Sequence, residues 1–242
     1  MEIEHEEVVV TALVPYGDTD CVVRFLGQNK GRFSAFAKGA KRSKNRFAGM
    51  LQPLAHGTAS LRPRRGDALW ALEELDADAS LLGLAQDPYG FGRASYLAEL
   101  VERLLPEAVP EPRIFERLRL CLRLIAAQKG SPGLLRAFEL QFLADTGYLP
   151  DLTSASDEPD KPPCALNRST GELVAQASAG CTPFPEDARQ IALELLYADL
   201  DAVPFYSSER LKPVGRLFAL HLRRMGLTDL KSVAFLRTLG PA

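Results

Sequence analysis

The chain has 242 residues, of which 46% are hydrophobic and 25% charged, and its formal net charge is −2. This length allows one large or two small domains with real cores, and the composition is that of a soluble globular protein. The N-terminal residues lack the basic and apolar regions of a secretory signal, and no apolar run is long enough for a membrane helix. Four scattered cysteines do not make a disulfide framework. We therefore expect a cytoplasmic protein without a membrane partner.

The first third of the chain predicts β-strands. Runs of β-branched and aromatic residues are separated there by turn-forming residues. The predicted strands cover residues 8–10, 21–25, 32–38, 54–61 and 69–75. Five short strands in so small a segment favour a closed barrel, and the five-stranded oligonucleotide-binding (OB) fold is the obvious candidate. Residues 1–78 are thus predicted to be an OB-fold domain that binds nucleic acid.

From residue 79 onward the hydrophobic period becomes helical. One helix is predicted to end before Pro106 and a second to centre on residues 118–125. A third begins at Ser131, an N-cap followed by proline, and stops at Gly147. Further helices are predicted at residues 186–197, 208–225 and 230–239. The predicted fold class is α+β and multidomain: a five-stranded OB-fold barrel, then an α-helical domain (residues 79–242) with a loop and hairpin at residues 150–185.

Charge is segregated along the chain. Eleven of the 29 basic residues lie between Cys21 and Gly66, a segment without Asp or Glu, so all 31 acidic residues lie elsewhere. Such a segment repels itself, and a polyanion is the usual ligand that relieves this repulsion. The alternative is a solvated basic face without a ligand.

The predicted strand at residues 32–38 suggests how this segment binds. Alternation places Phe33, Ala35 and Ala37 on the inner face of the barrel, and Phe36 between two cations on the outer face. Cations interleaved with an aromatic ring are typical of single-strand binders, although Phe36 packed under a helix is the alternative. The glycine-started loop that follows is wholly basic and suits phosphate contacts. The predicted nucleic-acid-binding residues are Arg24, Lys30, Arg32, Phe36, Lys38, Lys41, Arg42, Lys44, Arg46, Arg64 and Arg65.

Two cysteines occupy half of a zinc-ribbon pattern. Cys164 is followed three residues later by Asn167, and Cys181 by Phe184, where a ribbon needs a second cysteine in each knuckle. Two thiolates and an amide make a poor zinc site. We predict no zinc and no other cofactor, and instead a degenerate zinc-ribbon-like hairpin held by its apolar residues, among them Phe184.

Nothing in the sequence indicates catalysis. The three histidines are dispersed, and neither a nucleophile elbow nor a glycine-rich phosphate loop is present. No carboxylates cluster as a metal-dependent nuclease requires. We predict no catalytic and no metal-binding residues.

Several segments resemble one known family in their sequence order. The basic run from Phe36 to Lys44, followed by Leu51-Gln-Pro, resembles the N-terminal barrel of RecO, a bacterial recombination mediator. The segment around Leu135, with Gly147-Tyr-Leu-Pro, resembles its central helices, and residues 230–237 its C-terminal helix. Cys164 and Cys181 fall where many RecO proteins carry a four-cysteine zinc ribbon, which is the one departure.

This resemblance implies a function as well as a fold. RecO-like proteins bind single- and double-stranded DNA and anneal complementary strands without ATP. They bind RecR and the acidic C-terminal tail of single-stranded DNA-binding protein, and they help RecA to load at gaps. A receptor for this tail needs a cation beside an apolar groove, and Arg136, with Phe138 close by, is the strongest candidate. The resemblance places tail binding at the same arginine, while Arg119 and Arg123, one turn apart, are candidates for a second cation. Pairing of Arg136 with Glu139 or Glu99 is the alternative.

Two other functions stay open at the level of sequence. One is a protein-interaction adaptor whose barrel grips an acidic partner peptide. The other is a metal-dependent nuclease. The expected function is a non-enzymatic recombination mediator that binds and anneals DNA.

Overall fold

The structure is a computed structural model that describes residues 2–42, 47, 50–64, 69–78, 81, 84 and 86–240. Its N-terminal strands are β1 (Glu4–Tyr16), β2 (Asp20–Gly27), β3 (Gly31–Ala37), β4 (His56–Arg62) and β5 (Trp70–Ala77). They close into a barrel in the order β1-β2-β3-β5-β4, with β4 antiparallel to β1 and β3 parallel to β5. The predicted five-stranded barrel is confirmed.

The barrel interior follows the alternation that the sequence predicts for β3. Ala35 and Ala37 are fully buried, and Phe33 packs against the core and stacks on Phe25, with 5.2 Å between the ring centroids. Val8 and Val23 contribute further buried β-branched side chains. The small residues of β3 leave room for these larger ones in the narrow interior of a five-stranded barrel.

Three helices belong to the same compact unit as the barrel: α1 (Pro88–Leu104), α2 (Pro112–Ala126) and the C-terminal α6 (Lys231–Thr238). Helix α1 packs on β1, and α6 packs on α1. The Glu99 carboxylate accepts hydrogen bonds from the backbone N–H groups of Lys231 and Ser232, at 2.9 and 2.8 Å, and so caps α6. Residue 78, the predicted domain boundary, therefore marks the change from strands to helices, whereas the compact unit runs on to Lys129 and resumes at Lys231.

The second compact unit spans Gly130–Leu230. It contains α3 (Pro132–Asp145), α4 (Glu186–Tyr197) and α5 (Ser208–Arg224), together with a sheet of β6 (Ala165–Asn167), β7 (Leu173–Val174) and β8 (Cys181–Pro183) in the order β7-β6-β8. Ser131 caps α3 by accepting the N–H of Leu134, and Gly147 follows the helix at φ +76°, which glycine adopts readily. Among the described helices, none combines the length and hydrophobicity needed to cross a bilayer.

Candidate nucleic-acid interface

A row of partly exposed side chains crosses the outside of the barrel. Val14 pairs with Val22, Val22 with Phe36, Phe36 with Ala71, and Ala71 with Arg62, so the row passes over all five strands. Directly opposed residues on neighbouring strands point to the same side of a sheet. We call this surface the outer face. It is apolar through most of its width.

Phe36 lies on this outer face together with Tyr16. The two rings meet edge to face, with 5.5 Å between centroids, and Tyr16 is 61% exposed. The guanidinium carbon of Arg64 lies 5.2 Å from the centroid of Phe36, within the range of a cation–π interaction. Phe36 is partly exposed and packs against these two side chains.

Tyr16 is not among the residues that the sequence predicts to bind nucleic acid. The strand β1 continues through it, and a bulge between Val10 and Ala12 inserts one extra residue. Before the bulge Val8 and Val10 point inward; after it Leu13 packs on the core, and Val14 and Tyr16 point outward. A bulge reverses the alternation of a strand, and simple period-two reasoning cannot foresee that reversal.

The predicted basic loop begins at the same end of the barrel. Lys41 donates its backbone N–H to Thr19 O at 2.9 Å and its ammonium to Gly17 O at 2.9 Å, so the loop lies against the turn between β1 and β2. Asp20 accepts the N–H of Gly39 at 2.7 Å, and this hydrogen bond is the main cause that lowers the pKa of its carboxyl.

The exposed cations Lys38 and Arg42 frame this turn, and within the described residues neither side chain is in an ion pair. Lys44, Arg46 and Arg65, which were also predicted to bind nucleic acid, lie outside the described residues.

Four other basic residues are already engaged with carboxylates. Arg24 and Arg32 both contact Glu102 of α1, at 3.0 and 3.4 Å. Arg32 also lies 3.9 Å from the carboxylate of Glu107 and donates to the backbone oxygen of Leu105. The Arg32 side chain is only 16% exposed. Two further pairs complete this set: Lys30 with Glu4 and Arg62 with Glu73. The charges of these four side chains are balanced within the chain, whereas Lys38 and Arg42 form no ion pair within the described residues.

Comparisons with known proteins agree over the whole chain. The model of the recombination protein O N-terminal domain matches residues 1–80, and that of the C-terminal domain matches residues 85–203. The DNA repair protein RecO of Geobacter metallireducens is 32% identical over 250 residues, covering 100% of each chain. That of Anaeromyxobacter sp. strain K is 36% identical over 86% of this chain and 84% of its own. The chain belongs to the RecO family.

Arg136 and Phe138 of α3 were predicted to bind a partner, and the burial of Phe138 corrects part of this prediction. Phe138 has no exposed surface and stacks on Phe142 with 6.0 Å between centroids, so it cannot touch a partner. Its apolar side chain completes the core of the second unit. The prediction that Phe138 contacts a partner is wrong for that reason.

Arg136 is partly exposed but already paired. Its guanidinium lies 2.6 Å from the carboxylate of Glu139, which is fully buried, while the Arg136 side chain is 24% exposed. Gly215 of α5 leaves the room for this guanidinium, because a Cβ there would lie 2.8 Å from Arg136 Nη1. The alternative pairing with Glu139 therefore occurs. Arg119 forms a two-hydrogen-bond pair with Glu116 in the first unit, where Arg123 is exposed.

The four positions of the RecO zinc ribbon do not fit a zinc ion in this chain. Cys164 Sγ donates to Ala175 O at 2.9 Å, and Cys181 Sγ lies 3.4 Å from the hydroxyl of Ser178. Asn167 Oδ1 accepts two backbone N–H groups in its own turn, and Phe184 is buried with 1% exposure. Phe184 therefore supplies apolar packing where a fourth ligand would stand. Across the described part of the chain, no group of three or more His, Cys, Asp or Glu residues is arranged to hold a metal.

Proposed function

We propose that this RecO-family protein binds single-stranded DNA on the outer face of its barrel and anneals complementary strands without making or breaking covalent bonds. The exposed Tyr16–Phe36 pair, with Arg64 over the Phe36 ring and Lys38 and Arg42 at the same end, carries this proposal. The name of its relatives, DNA repair protein RecO, supports a role in DNA repair and recombination.

Aromatic rings and cations make different contacts with single-stranded DNA. Bases stack on exposed rings without regard to sequence, because every base has a π-face. Lysine and arginine neutralise phosphates and release the counterions bound to them. The edge-to-face arrangement leaves Tyr16 mostly exposed, so a base can stack on it while the backbone reaches Lys38 and Arg42.

Annealing follows from the same contacts. Two complementary strands repel each other through their phosphates, and a basic surface that binds both raises their local concentration. Sequence-independent contacts leave the Watson–Crick edges free, so bases can pair with one another. Duplex DNA offers the same phosphates but no unstacked bases, so we expect it to bind more weakly through the cations alone.

The partners are proposed on the family resemblance. RecR is proposed as a direct partner and RecA as an indirect one, and we assign no binding site to either. The acidic tail of single-stranded DNA-binding protein is proposed to bind at Arg136, whose fork of donors offers N–H groups beyond the one directed at Glu139.

Titration of a labelled oligothymidylate with the full chain at several salt concentrations tests the proposal. We expect the logarithm of the binding constant to fall linearly with the logarithm of the salt concentration, by about 0.7 per phosphate contact. A Lys38→Glu/Arg42→Glu variant should lower this salt slope. A Tyr16→Ala variant should weaken binding while the salt slope stays the same. Lys129→Glu/Lys231→Glu, which makes the same change of charge at two exposed lysines elsewhere in the chain, is the control.

A fluorescence assay with two complementary strands then measures annealing. The parent should accelerate it, and the Lys38→Glu/Arg42→Glu variant should not. If that variant binds DNA with the parent's slope, or Tyr16→Ala binds as tightly as the parent, the outer face is not the binding surface.

A further inference from the structure

The second unit contains a cleft at the C-terminal end of α4 that the proposed function does not use. Its volume is about 670 Å³. The residues that matter for its chemistry are Leu193, Glu194, Tyr197, Asp199, Ala202 and Pro204. We call it the α4 cleft. Both apolar and acidic side chains line it.

The α4 cleft is held open by buried contacts. The side-chain amide of Gln141 donates to Leu195 O at 3.2 Å and to Ala198 O at 2.9 Å, which satisfies the last carbonyl groups of α4. The buried Leu200 anchors the short 3₁₀ helix Leu200–Ala202 that forms one wall. Tyr206, also buried, donates its hydroxyl to Glu194. A cleft fixed on two sides needs little reorganisation to receive a ligand.

Two aromatic side chains stand out beside the cleft. Tyr197 lines it and is 80% exposed, while Phe205, which directly follows the lining residue Pro204, is 82% exposed. The next most exposed large hydrophobic residue in the described chain is Tyr16, at 61%. Large exposed aromatic side chains beside a concave surface are characteristic of protein-binding sites, where they carry much of the binding energy.

The charge of the cleft selects the sign of its ligand. Glu194, Asp199 and the neighbouring Asp201 have no ion-pair partner within the described residues, and the last turn of α4 has no basic residue. The first turn of the same helix is different, because there Glu186 pairs with Arg189 and Asp187 with Arg210.

The negative end of the helix dipole adds to these carboxylates. Burial and the hydrogen bond to Glu194 raise the pKa of Tyr206 to about 12, so the Tyr206 hydroxyl stays a neutral hydrogen-bond donor. Although Arg210 lies near Glu194, Asp199 and Asp201, unpaired among the described residues, favour a cationic ligand over DNA phosphates at the end of α4.

We infer that the α4 cleft binds a basic segment of a partner protein, in which lysine or arginine adjoins an apolar side chain. The apolar side chain enters the cleft beside Leu193 and Pro204. The cation lies against the Tyr197 or Phe205 ring, where cation–π attraction adds to the charge of Asp199. This surface is separate in chemistry from the DNA-binding outer face, and it does not suit an acidic tail.

A random-peptide phage library selected on the full chain tests the inference. Each round is depleted on a Tyr197→Ser/Asp199→Lys variant, so peptides that bind elsewhere, acidic ones at the barrel included, are removed. Both substituted side chains are exposed, and circular dichroism checks that the variant stays folded. The control variant Tyr148→Ser/Asp160→Lys makes the same changes at exposed residues of the same unit that do not line the cleft.

We expect the selected peptides to carry lysine or arginine beside an aliphatic or aromatic residue. They should bind the parent and the control variant at least 10-fold more tightly than the cleft variant. Added salt should weaken their binding to the parent. Absence of enrichment, enrichment of acidic peptides, or equal binding to the cleft variant would overturn the inference. Self-association of the parent that the cleft variant loses, seen by sedimentation, would assign the cleft to a second copy instead. Loss of oligonucleotide binding in the cleft variant would assign it to DNA.

Discussion

The outer face of the barrel and the α4 cleft both carry aromatic side chains, but the charged residues around them have opposite signs. The barrel carries the exposed Tyr16 and the partly exposed Phe36. At the cleft, the exposed Tyr197 is a lining residue and the exposed Phe205 directly follows one. Cations surround the first pair and carboxylates the second. Rings supply contact area for almost any ligand, whereas the sign of the surrounding charge decides which ligand is attracted. Under the two proposals, the surfaces attract ligands of opposite charge.

Reversing the charge of the barrel end should have the largest effect. In the Lys38→Glu/Arg42→Glu variant, loss of two phosphate contacts lowers the salt slope by about 1.4, which corresponds to roughly 50- to 100-fold weaker binding to single strands near 50 mM salt. Peptide binding at the α4 cleft should stay unchanged. Fluorescence anisotropy at several salt concentrations measures both. If oligonucleotide affinity hardly moves, the contrast in charge between the two surfaces has no functional meaning.

A second prediction separates cations that bind DNA from those that hold the barrel to α1. Arg32 is mostly buried against Glu102 and the backbone of Leu105, so Arg32→Gln should lower the free energy of unfolding by about 2 kcal/mol. The salt slope of DNA binding should not change, because the charge is already balanced. Urea denaturation measures the first quantity, with the exposed Lys38→Gln as control.

The opposite change sharpens this test. Glu102→Gln removes the carboxylate that Arg24 and Arg32 share, while Arg32 keeps Glu107 at 3.9 Å. It should destabilise the fold and raise the salt slope of DNA binding. A lower slope in Arg32→Gln would instead place Arg32 among the phosphate contacts, as the sequence alone predicted.

The aromatic pair of the outer face should account for a smaller and different effect. Stacking on an exposed ring contributes about 1–3 kcal/mol per base, so Tyr16→Ala should weaken single-strand binding by about 10-fold. The salt slope should stay the same, and duplex binding should change little. Tyr16→Phe keeps the ring and is the matched control. Equal losses for single strands and duplex would show that Tyr16 only supports the fold.

Local signals predicted much of this molecule. The bounds of α4 at residues 186–197 and the Ser131 cap of α3 follow from the hydrophobic period and from capping residues, which act over a few positions. The five strands and the inward side chains of β3 follow in the same way. The first turn of a helix and the face of a strand are decided by neighbours in sequence.

Long-range pairing could not be predicted from the sequence. Nothing near Arg24 or Arg32 indicates that both pair with Glu102, which lies 78 residues after Arg24 and 70 after Arg32. The outward direction of Tyr16 depends on a bulge, and the burial of Phe138 depends on how α3 packs in its unit. The α4 cleft requires a helix end, a short 3₁₀ helix and a buried glutamine together. Charge counts locate a basic segment but do not tell which of its members remain free.

The smallest expected effect concerns Arg136. Tail binding there would place an acidic ligand on the second unit, which also carries the acidic α4 cleft. The simple variant Arg136→Ala leaves Glu139 buried without its cation, and such a change destabilises proteins by about 3–5 kcal/mol. Weaker tail binding by that variant alone would not separate a lost contact from a damaged fold.

Glu139→Gln avoids this difficulty. It keeps a side chain of the same size that can still accept a hydrogen bond from Arg136, and it removes the buried charge that now competes for the guanidinium. If the terminal carboxylate of the tail binds Arg136, this variant should bind the tail peptide several-fold more tightly, and Arg136→Ala/Glu139→Gln several-fold more weakly than the parent. Oligonucleotide affinity should be equal in all three proteins. Tail affinity that is the same in the parent and both variants would remove Arg136 from the site and leave the second unit with the α4 cleft as its proposed binding surface.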